Sequence, residues 1–400
     1  MFSVAAPLAP AFAASRWLVL AVTFAARVGF GMQFIAVAAL MPEVRAALAL
    51  DHGQVGMLLG VFMVTGIFLS LPGSMIANCL GDRRSMGLGL ALLAGGGAVL
   101  ALSDAYGAAL AARLVGGAGG VLVSVVSAKI ITDRFAGREI ATAMSVLGVA
   151  WPVGLALGLT LLPLFAYWSD WRQAVLATAL LPVAAMALLG LLQGPRPIAP
   201  ADNHRRPFWR IGRREAWLII IGGLAWPLMS SGGYVVFSSY APELLVARGM
   251  TMAEAAPLVG VLSWLIVATI PLGGRLADRR GWGDRLFWGG CLVAAGAIAA
   301  LPLGGAPILW IAIAAALGLT VGMIMALPSE ILAPESRATG VGLFYTLYFL
   351  GTALHPAFAG WLLEVSGSLD LVIWSTAACL VLAPLALGTV RLLQRRFADQ

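Results

Sequence analysis

The chain has 400 residues, of which 61% are hydrophobic and 11% charged, and its mean hydropathy is +0.95. Soluble domains carry roughly 45–50% apolar and about 25% charged residues, so this composition excludes an ordinary soluble protein and indicates an integral membrane protein. The net charge of +7 does not indicate nucleic-acid binding, because the arginines lie in short loops between apolar runs. The three cysteines have no metal-site or disulfide spacing, and we expect neither a metal nor a cofactor.

Apolar runs of about twenty residues follow one another along the whole chain, and each is long enough to cross a hydrocarbon core of about 30 Å. They predict an all-α membrane protein with twelve transmembrane helices. The predicted spans are residues 17–40, 55–77, 86–103, 109–131, 139–162, 173–193, 216–239, 255–275, 286–303, 307–330, 338–363 and 371–391.

The distribution of basic residues between the two sides predicts the orientation. With a cytoplasmic amino terminus, 20 of the 25 basic residues fall inside and only Arg45, Arg172 and Arg248 fall outside, while Arg27 and Arg113 lie within spans. Because short cytoplasmic loops are enriched in Lys and Arg, both termini are predicted to be cytoplasmic. We expect a multi-pass protein of the plasma membrane, in a bacterium the inner membrane.

A polar stretch in the middle, residues 194–215, divides the chain into two halves that repeat each other's polar landmarks. Pro42 and Glu43 recur as Pro242 and Glu243, and Asp82-Arg83-Arg84 recurs as Asp278-Arg279-Arg280. Asp133 and Arg138 likewise correspond to Glu330 and Arg337. An internal repeat is a recurrent way to build a transporter. We predict a six-helix bundle over 1–193, a basic cytoplasmic linker over 194–215 and a second bundle over 216–400.

Two loops carry a recognisable signature. Residues 78–85 read Asn-Cys-Leu-Gly-Asp-Arg-Arg-Ser and residues 274–281 read Gly-Arg-Leu-Ala-Asp-Arg-Arg-Gly. Both resemble the G-x-L-x-D-R-x-G signature of the major facilitator superfamily; the second copy fits at every defined position and the first departs at Asn78 and Ser85. The fourth span opens with Arg113 and a glycine cluster, which resembles the R-x-x-x-G-x-G-G element of that superfamily.

The resemblance implies two pseudo-symmetric bundles around a central cavity that opens to either side in turn. We expect charge clusters where the bundles meet at the cytoplasmic face, because such clusters can form in one state and break in the other. The alternative is that these charges only set the membrane topology. The residues concerned are Asp82, Arg83, Asp133 and Arg138 in the first half, and Asp278, Arg279, Glu330 and Arg337 in the second.

Arg27 lies about ten residues into the first span, near mid-membrane, where a charged group is costly unless it is paired. No Asp or Glu lies near the middle of any predicted span, so an anionic cargo is the natural partner of Arg27. The alternative is a packing role through helix carbonyls. Arg113 is shallower, and we expect it to have a structural or coupling role. Glu43, at the outer end of its span, is a second coupling candidate.

Polar and aromatic residues at helical spacing mark two further faces. The eleventh span presents Tyr345, Tyr348, Thr352 and His355, and the seventh presents Trp226, Ser230 and Tyr234. A polar stripe is costly against lipid, so we predict that both faces line the cavity. Small residues at such spacing also serve helix packing, and tyrosines near helix ends can anchor a helix at the membrane interface.

These observations favour a transporter over an enzyme. No phosphate-binding loop motif is present to drive ATP-dependent transport, and no catalytic triad or zinc motif is present either. The first hypothesis is a monomeric secondary transporter of a small anion, with protons as candidate coupling ions; within the superfamily the chain resembles cyanate-transporter-like members. A proton-driven exporter of drugs or metabolites is the alternative, and a sensor or scaffold is the third interpretation.

Overall fold

The computed structural model describes residues 15–137, 139–191, 211–304 and 308–398, and within these ranges it contains helices but no β-strand. The helices are α1 (Arg16–Ala39), α2 (Met41–Leu48), α3 (His52–Leu80), α4 (Asp82–Ala101), α5 (Tyr106–Phe135), α6 (Ile140–Trp168), α7 (Trp171–Ala177), α8 (Leu180–Leu191), α9 (Arg213–Pro227), α10 (Val236–Ala247), α11 (Met252–Arg280), α12 (Gly283–Ala300), α13 (Ile308–Ile331), α14 (Arg337–Ser366) and α15 (Leu369–Ala398).

The predicted spans correspond closely to these helices. In the described part of the chain, 11 helical segments are long and apolar enough to cross a membrane, and α11, with 29 residues, stands where the remaining span is predicted. The predicted sixth span is divided between α7 and α8. The predicted seventh span contains a π-helical segment, Leu228–Val235, between α9 and α10. The all-α membrane fold predicted from the sequence is therefore confirmed.

Glycine brings neighbouring helices into close contact, as is common where lipid offers little hydrophobic force for helix association. A Cβ atom added to Gly96 of α4 would lie 2.5 Å from the backbone of Gly116 of α5. In the same way, a Cβ added to Gly154 of α6 would lie 2.9 Å from the Cα of Gly31 of α1. These pairs pack α4 against α5 and α1 against α6 within the first half of the chain.

The two halves of the chain, α1–α8 and α9–α15, meet through α3 against α14 and through α6 against α11 and α13. Gly66 of α3 meets Phe349 of α14 near mid-helix, and further close approaches lie toward the end of the molecule at which α1 begins and α15 ends, which we call the terminal face. There a Cβ added to Gly342 of α14 would lie 2.7 Å from Ser74 of α3. Gly274 of α11 is similarly close to Ala141 and Ser145 of α6. The halves are thus in tight contact on the terminal side of the membrane core.

The predicted linker falls almost entirely on residues 192–210, which lie outside the described residues. The proposed division into 1–193, 194–215 and 216–400 therefore stays a prediction. Arg138, predicted to belong to the cytoplasmic charges, also lies outside them.

Candidate functional site

A cavity of about 220 Å³ lies between the two halves of the chain, near the middle of the helices. Most of its wall is apolar, with Ile266 and Ile270 of α11 and Leu317 and Val321 of α13 among the lining residues. Six of the residues predicted from the sequence to contact substrate line it, namely Arg27, Trp226, Ser230, Tyr234, Tyr345 and Tyr348. The fold therefore gathers helices that are far apart in sequence around one cavity.

Arg27 supplies the positive charge of this cavity. Its residue is only 6% exposed, and its Nη1 donates a hydrogen bond of 3.3 Å to the hydroxyl of Tyr345. The guanidinium carbon lies 6.0 Å from the centre of the Tyr345 ring. Its Nε has no hydrogen-bond partner, and no carboxylate of the described residues lies within salt-bridge distance. A buried cation in this situation favours a bound anion.

Aromatic rings of α9 and α14 form the wall beside Arg27. The Trp226 ring is stacked between Tyr348, with centroids 4.0 Å apart, and Phe344, at 5.0 Å. Tyr345 meets Trp226 edge to face at 5.0 Å, a favourable arrangement for aromatic pairs. The stack holds Tyr345 in position to accept the hydrogen bond from Arg27.

The π-helical segment brings the seventh span to the cavity. Ser230, Tyr234 and Val235 line the space from this segment, and the Ser230 hydroxyl donates to the Trp226 carbonyl at 2.8 Å. A π-helix has wider turns than an α-helix and frequently occurs at functional sites. It follows Pro227, whose missing N–H group interrupts the α-helical hydrogen-bond pattern.

Thr352 and His355 continue the predicted stripe of α14 but do not line the cavity. Thr352 donates its hydroxyl to the Tyr348 carbonyl at 2.8 Å, and His355 packs beside Gly351 and Gly232. They lie one to two turns beyond Tyr348, where α14 packs on the seventh span. The predicted polar face is therefore cavity wall in its first part and helix contact in its second.

The cavity also includes residues that were not predicted as substrate contacts. Phe30 of α1 and Trp151 of α6 line it as an aromatic pair, with ring centroids 4.8 Å apart. Ser124 of α5 lines it as well, and its buried hydroxyl has no partner among the residues described. Phe30 follows Arg27 by three residues and so lies on the same face of the helix, which was the available signal for it.

Arg113 lies outside the cavity and binds helix carbonyls. Its Nε donates to the Leu58 carbonyl at 2.9 Å, and Nη1 and Nη2 donate to those of Gln33 and Phe34 at 2.6 and 3.0 Å. The guanidinium also covers the Phe62 ring at 4.0 Å. These contacts join α1, α3 and α5 and favour the structural role over the coupling role. Glu43 is exposed on α2 and does not line the cavity.

In the first half, the charges of the terminal face form a chain of ion pairs. Lys129 lies between Asp82 and Asp133, at 2.7 and 3.2 Å, and Arg337 reaches Asp133 from the other half at 2.9 Å. Asp82 and Asp133 thus belong to one charge cluster, as expected, whereas Arg83 is not part of it and donates to the Gly190 carbonyl at 2.5 Å. Lys129 can reach both carboxylates because it lies one helical turn before Asp133 on α5.

In the second half, the expected cluster of Asp278, Arg279 and Glu330 is absent from the described residues. Asp278 instead accepts hydrogen bonds from the backbone N–H groups of Ala141 and Thr142, at 3.1 and 2.7 Å. It thereby caps α6 of the other half. Glu330 pairs with Arg391 at 2.7 Å, and Arg391 also binds Asp284 of α12. Arg279 is exposed and has no ion pair in the described ranges.

Comparison with known proteins places this geometry in a family. The sequence model of the Major Facilitator Superfamily matches residues 19–329. The cyanate transport protein CynX of Escherichia coli (strain K12) is 25% identical over 245 residues, which cover 60% of this chain and 62% of that protein. The chain thus spans less than two thirds of that relative.

Solved structures share the fold over nearly the whole chain. The human organic anion transporter MFSD10 superposes with a TM-score of 0.73 at 18% identity, covering 93% of this chain and 99% of that one. The transporter FucP in its outward conformation gives a TM-score of 0.75 at 15% identity, covering 94% and 98%. At these identities the likeness establishes the fold alone.

Proposed function

Since this chain belongs to the Major Facilitator Superfamily of membrane transporters, we propose that it carries a small anion through its central cavity by alternating access. The single observation that carries the proposal is Arg27, buried at the cavity wall with an unpartnered Nε and no carboxylate of the described residues in salt-bridge range. An arginine cannot shed its proton, so the charge must be compensated by what binds there.

The contacts between the halves support a sequence of events for transport. In the described conformation the halves touch at the terminal face through Arg337–Asp133 and through Asp278 at the start of α6. The cargo would therefore enter from the opposite side and bind Arg27. Neutralisation of this charge lowers the cost of enclosing the site, because a buried ion in a low-dielectric region is stabilised by an opposite charge. Rocking of the halves would then break the terminal-face contacts and release the anion.

The orientation completes the proposal. The excess of basic residues on the terminal face favours a cytoplasmic location for both termini, in the inner membrane of a bacterium. With that orientation, the described conformation would accept an anion from outside. We propose that the protein is a monomer, because the two halves of one chain already form a complete cavity between them. Protons remain the candidate coupling ion.

The test is a thermal-shift comparison of the purified protein, its Arg27→Gln variant and an Arg396→Gln control, in which the same change is made on an exposed arginine far along α15. Each is measured with graded concentrations of cyanate, nitrate, acetate, benzoate and a lipophilic cation. A ligand that binds the folded state stabilises it by RT ln(1 + [L]/Kd), about 2.7 kcal/mol at one hundred times Kd.

We expect at least one anion to raise the melting temperature of the wild type and of Arg396→Gln but not of Arg27→Gln. Uptake of that anion into proteoliposomes, again dependent on Arg27, establishes transport. Stabilisation by the lipophilic cation alone, or anion shifts that survive Arg27→Gln, would refute the proposal. That result would instead favour the proton-driven exporter.

A further inference from the structure

The chemistry of the cavity wall selects among anions. Only one charged side chain, Arg27, is among the residues that line the cavity, and no lining residue is acidic. A cargo with a single negative charge is neutralised by this cation. A dianion would leave one charge enclosed in a largely apolar space, which costs several kcal/mol. The balance of charges therefore favours a monoanion.

Two buried polar atoms indicate the head group of the cargo. The Arg27 Nε and the Ser124 hydroxyl both belong to residues that line the cavity, and neither has a partner within the described structure. Both atoms have almost no accessible surface in the described conformation, so an acceptor in the cavity reaches them through a side-chain rotation of Arg27 and Ser124. Buried polar groups are almost always hydrogen-bonded, and two donors without partners beside one cavity favour such an acceptor. A carboxylate has two oxygens that accept hydrogen bonds, and it forms strong charge-assisted bonds with a guanidinium.

The rest of the cavity wall is apolar and aromatic, which favours a cargo with an apolar part. Aromatic rings contribute from both halves, with Phe30 and Trp151 from the first half and the Trp226–Tyr348 stack from the second. Tyr348 ends this stack and stays partly exposed. Aromatic pairs in offset or edge-to-face contact contribute roughly 0.5–1.5 kcal/mol beyond the burial of their area. An ion without a hydrocarbon part would make no apolar contact with these aromatic rings.

The volume of the cavity limits the size of the apolar part of the cargo. This volume is about 220 Å³. It is smaller than the roughly 300–1,000 Å³ of pockets for drug-sized ligands. A triatomic anion would fill a small part of it, whereas a single ring with one carboxylate would fill most of it.

We infer that the cargo is an aromatic monocarboxylate of about the size of benzoate, bound with its carboxylate on Arg27 and Ser124 and its ring between the two aromatic walls. This inference rests on the proposed function and narrows it to one chemical class. After rotation of the two side chains the carboxylate would accept from both free donors, and the ring would cover Tyr348 on one side and the Phe30–Trp151 pair on the other.

The first experiment compares the binding of matched ligands to the purified full chain by thermal shift. Benzoate is the probe, benzamide has the same ring without the charge, acetate has the charge without the ring, and terephthalate adds a second charge. We expect benzoate to bind at least tenfold more tightly than each of the other three and than cyanate. Equal or tighter binding of acetate, cyanate or terephthalate would overturn the inference.

The second experiment tests the aromatic wall with Tyr348→Leu, which keeps an apolar side chain but removes the ring. The matched control is Tyr240→Leu, because Tyr240 is also partly buried but lies outside the cavity. We expect the affinity for benzoate to fall roughly 2- to 12-fold in Tyr348→Leu only, while the affinity for acetate does not change. An equal effect of both substitutions would overturn the assignment of the ring site.

The outcomes for the two proposals are separable. If cyanate or nitrate binds in an Arg27-dependent way and benzoate does not, the aromatic class is refuted and anion transport stands. If no anion depends on Arg27, both fail. Because Arg27→Gln could fold poorly, Ser124→Ala gives an independent test. It removes one expected bond, and we expect a reduction of roughly 3- to 10-fold in benzoate affinity. An unchanged affinity would place the carboxylate elsewhere.

Discussion

The contacts between the halves at the terminal face predict how the conformational equilibrium responds to neutral substitutions. The Arg337 guanidinium lies 2.9 Å from the Asp133 carboxylate, and Asp278 accepts from the N–H groups of Ala141 and Thr142. All of these bonds cross between the halves, so they must break when the terminal face opens. We therefore expect the double variant Arg337→Gln, Asp278→Ala, which removes both the charged donor and the capping acceptor, to shift the population toward the open conformation.

The size of the shift follows from the burial of each contact. The side chains of Arg337 and Asp133 are 14% and 34% exposed, so their ion pair is neither fully at the surface nor fully buried. Surface pairs contribute roughly 0.2–1 kcal/mol to stability, and we take about 1 kcal/mol for this partly buried pair. A carboxylate that caps a helix contributes about 1 kcal/mol. The two contacts lie on different helices and should be nearly additive. The sum of about 2 kcal/mol corresponds to a shift of about 30-fold.

Ser145 offers a reporter for this opening. It is fully buried on α6 beside Gly274 and Gly322 of the other half. In a background with Cys79, Cys291 and Cys379 replaced by alanine, Ser145→Cys should react with a maleimide only when the halves separate at the terminal face. We expect the labelling rate to rise about 30-fold in the double variant, because the rate follows the population of the open state.

A substitution in the same signature loop supplies the control. Arg279 is exposed in the last turn of α11 and forms no ion pair in the described part of the chain, so Arg279→Gln removes a charge without removing an ion pair between the halves. We expect it to leave the labelling rate within about twofold of the parent. If Arg279→Gln accelerates labelling as much as the double variant, or if the double variant has no effect, these charges set topology alone.

Three further predictions concern residues outside the cavity. Arg113→Met should lower the free energy of unfolding by about 3 kcal/mol, since three hydrogen bonds of about 1 kcal/mol each are lost. The melting temperature in detergent measures this loss. An unchanged melting temperature together with a loss of transport would instead assign Arg113 to coupling. Gly119→Ala should lower the melting temperature while Gly95→Ala should not, because only the first added Cβ meets a neighbouring backbone, near Leu93. Glu43→Gln should leave ligand shifts unchanged, because Glu43 lies outside the cavity, and a loss of binding would contradict its placement.

Sequence patterns predicted the helices and the central cation well. Hydropathy depends only on residues adjacent in the chain, so twelve runs of about twenty apolar residues predict spans without knowledge of their packing. A mid-membrane arginine such as Arg27 stands out for the same reason, because its cost is set by the membrane. The aromatic residues Trp226, Tyr345 and Tyr348 followed from helical periodicity, which places them on one face of each helix.

Partners across helices could not be predicted in this way. That Asp82 pairs with Lys129 and not with Arg83, and that Asp278 caps α6, depend on the rotation and depth of separate helices. Helical spacing likewise did not show where on α14 the cavity ends, so Thr352 and His355 were grouped with Tyr348. In the structure Thr352 bonds within α14 and His355 packs beside Gly232 of the seventh span. Periodicity defines a face, but the neighbouring helix decides what that face touches.

The sequence by itself thus determined the membrane class, the succession of transmembrane helices and the presence of one mid-membrane cation, while the division into two repeated halves stays a prediction. Only the tertiary structure decided which walls surround that cation, which charges join the halves and which donors are left without partners. The physical reason is the distance along the chain between the residues that decide each feature. Span formation is governed by the transfer of a local segment into lipid, whereas the cavity and its ion pairs arise from contacts between residues up to about three hundred positions apart, as between Arg27 and Tyr345.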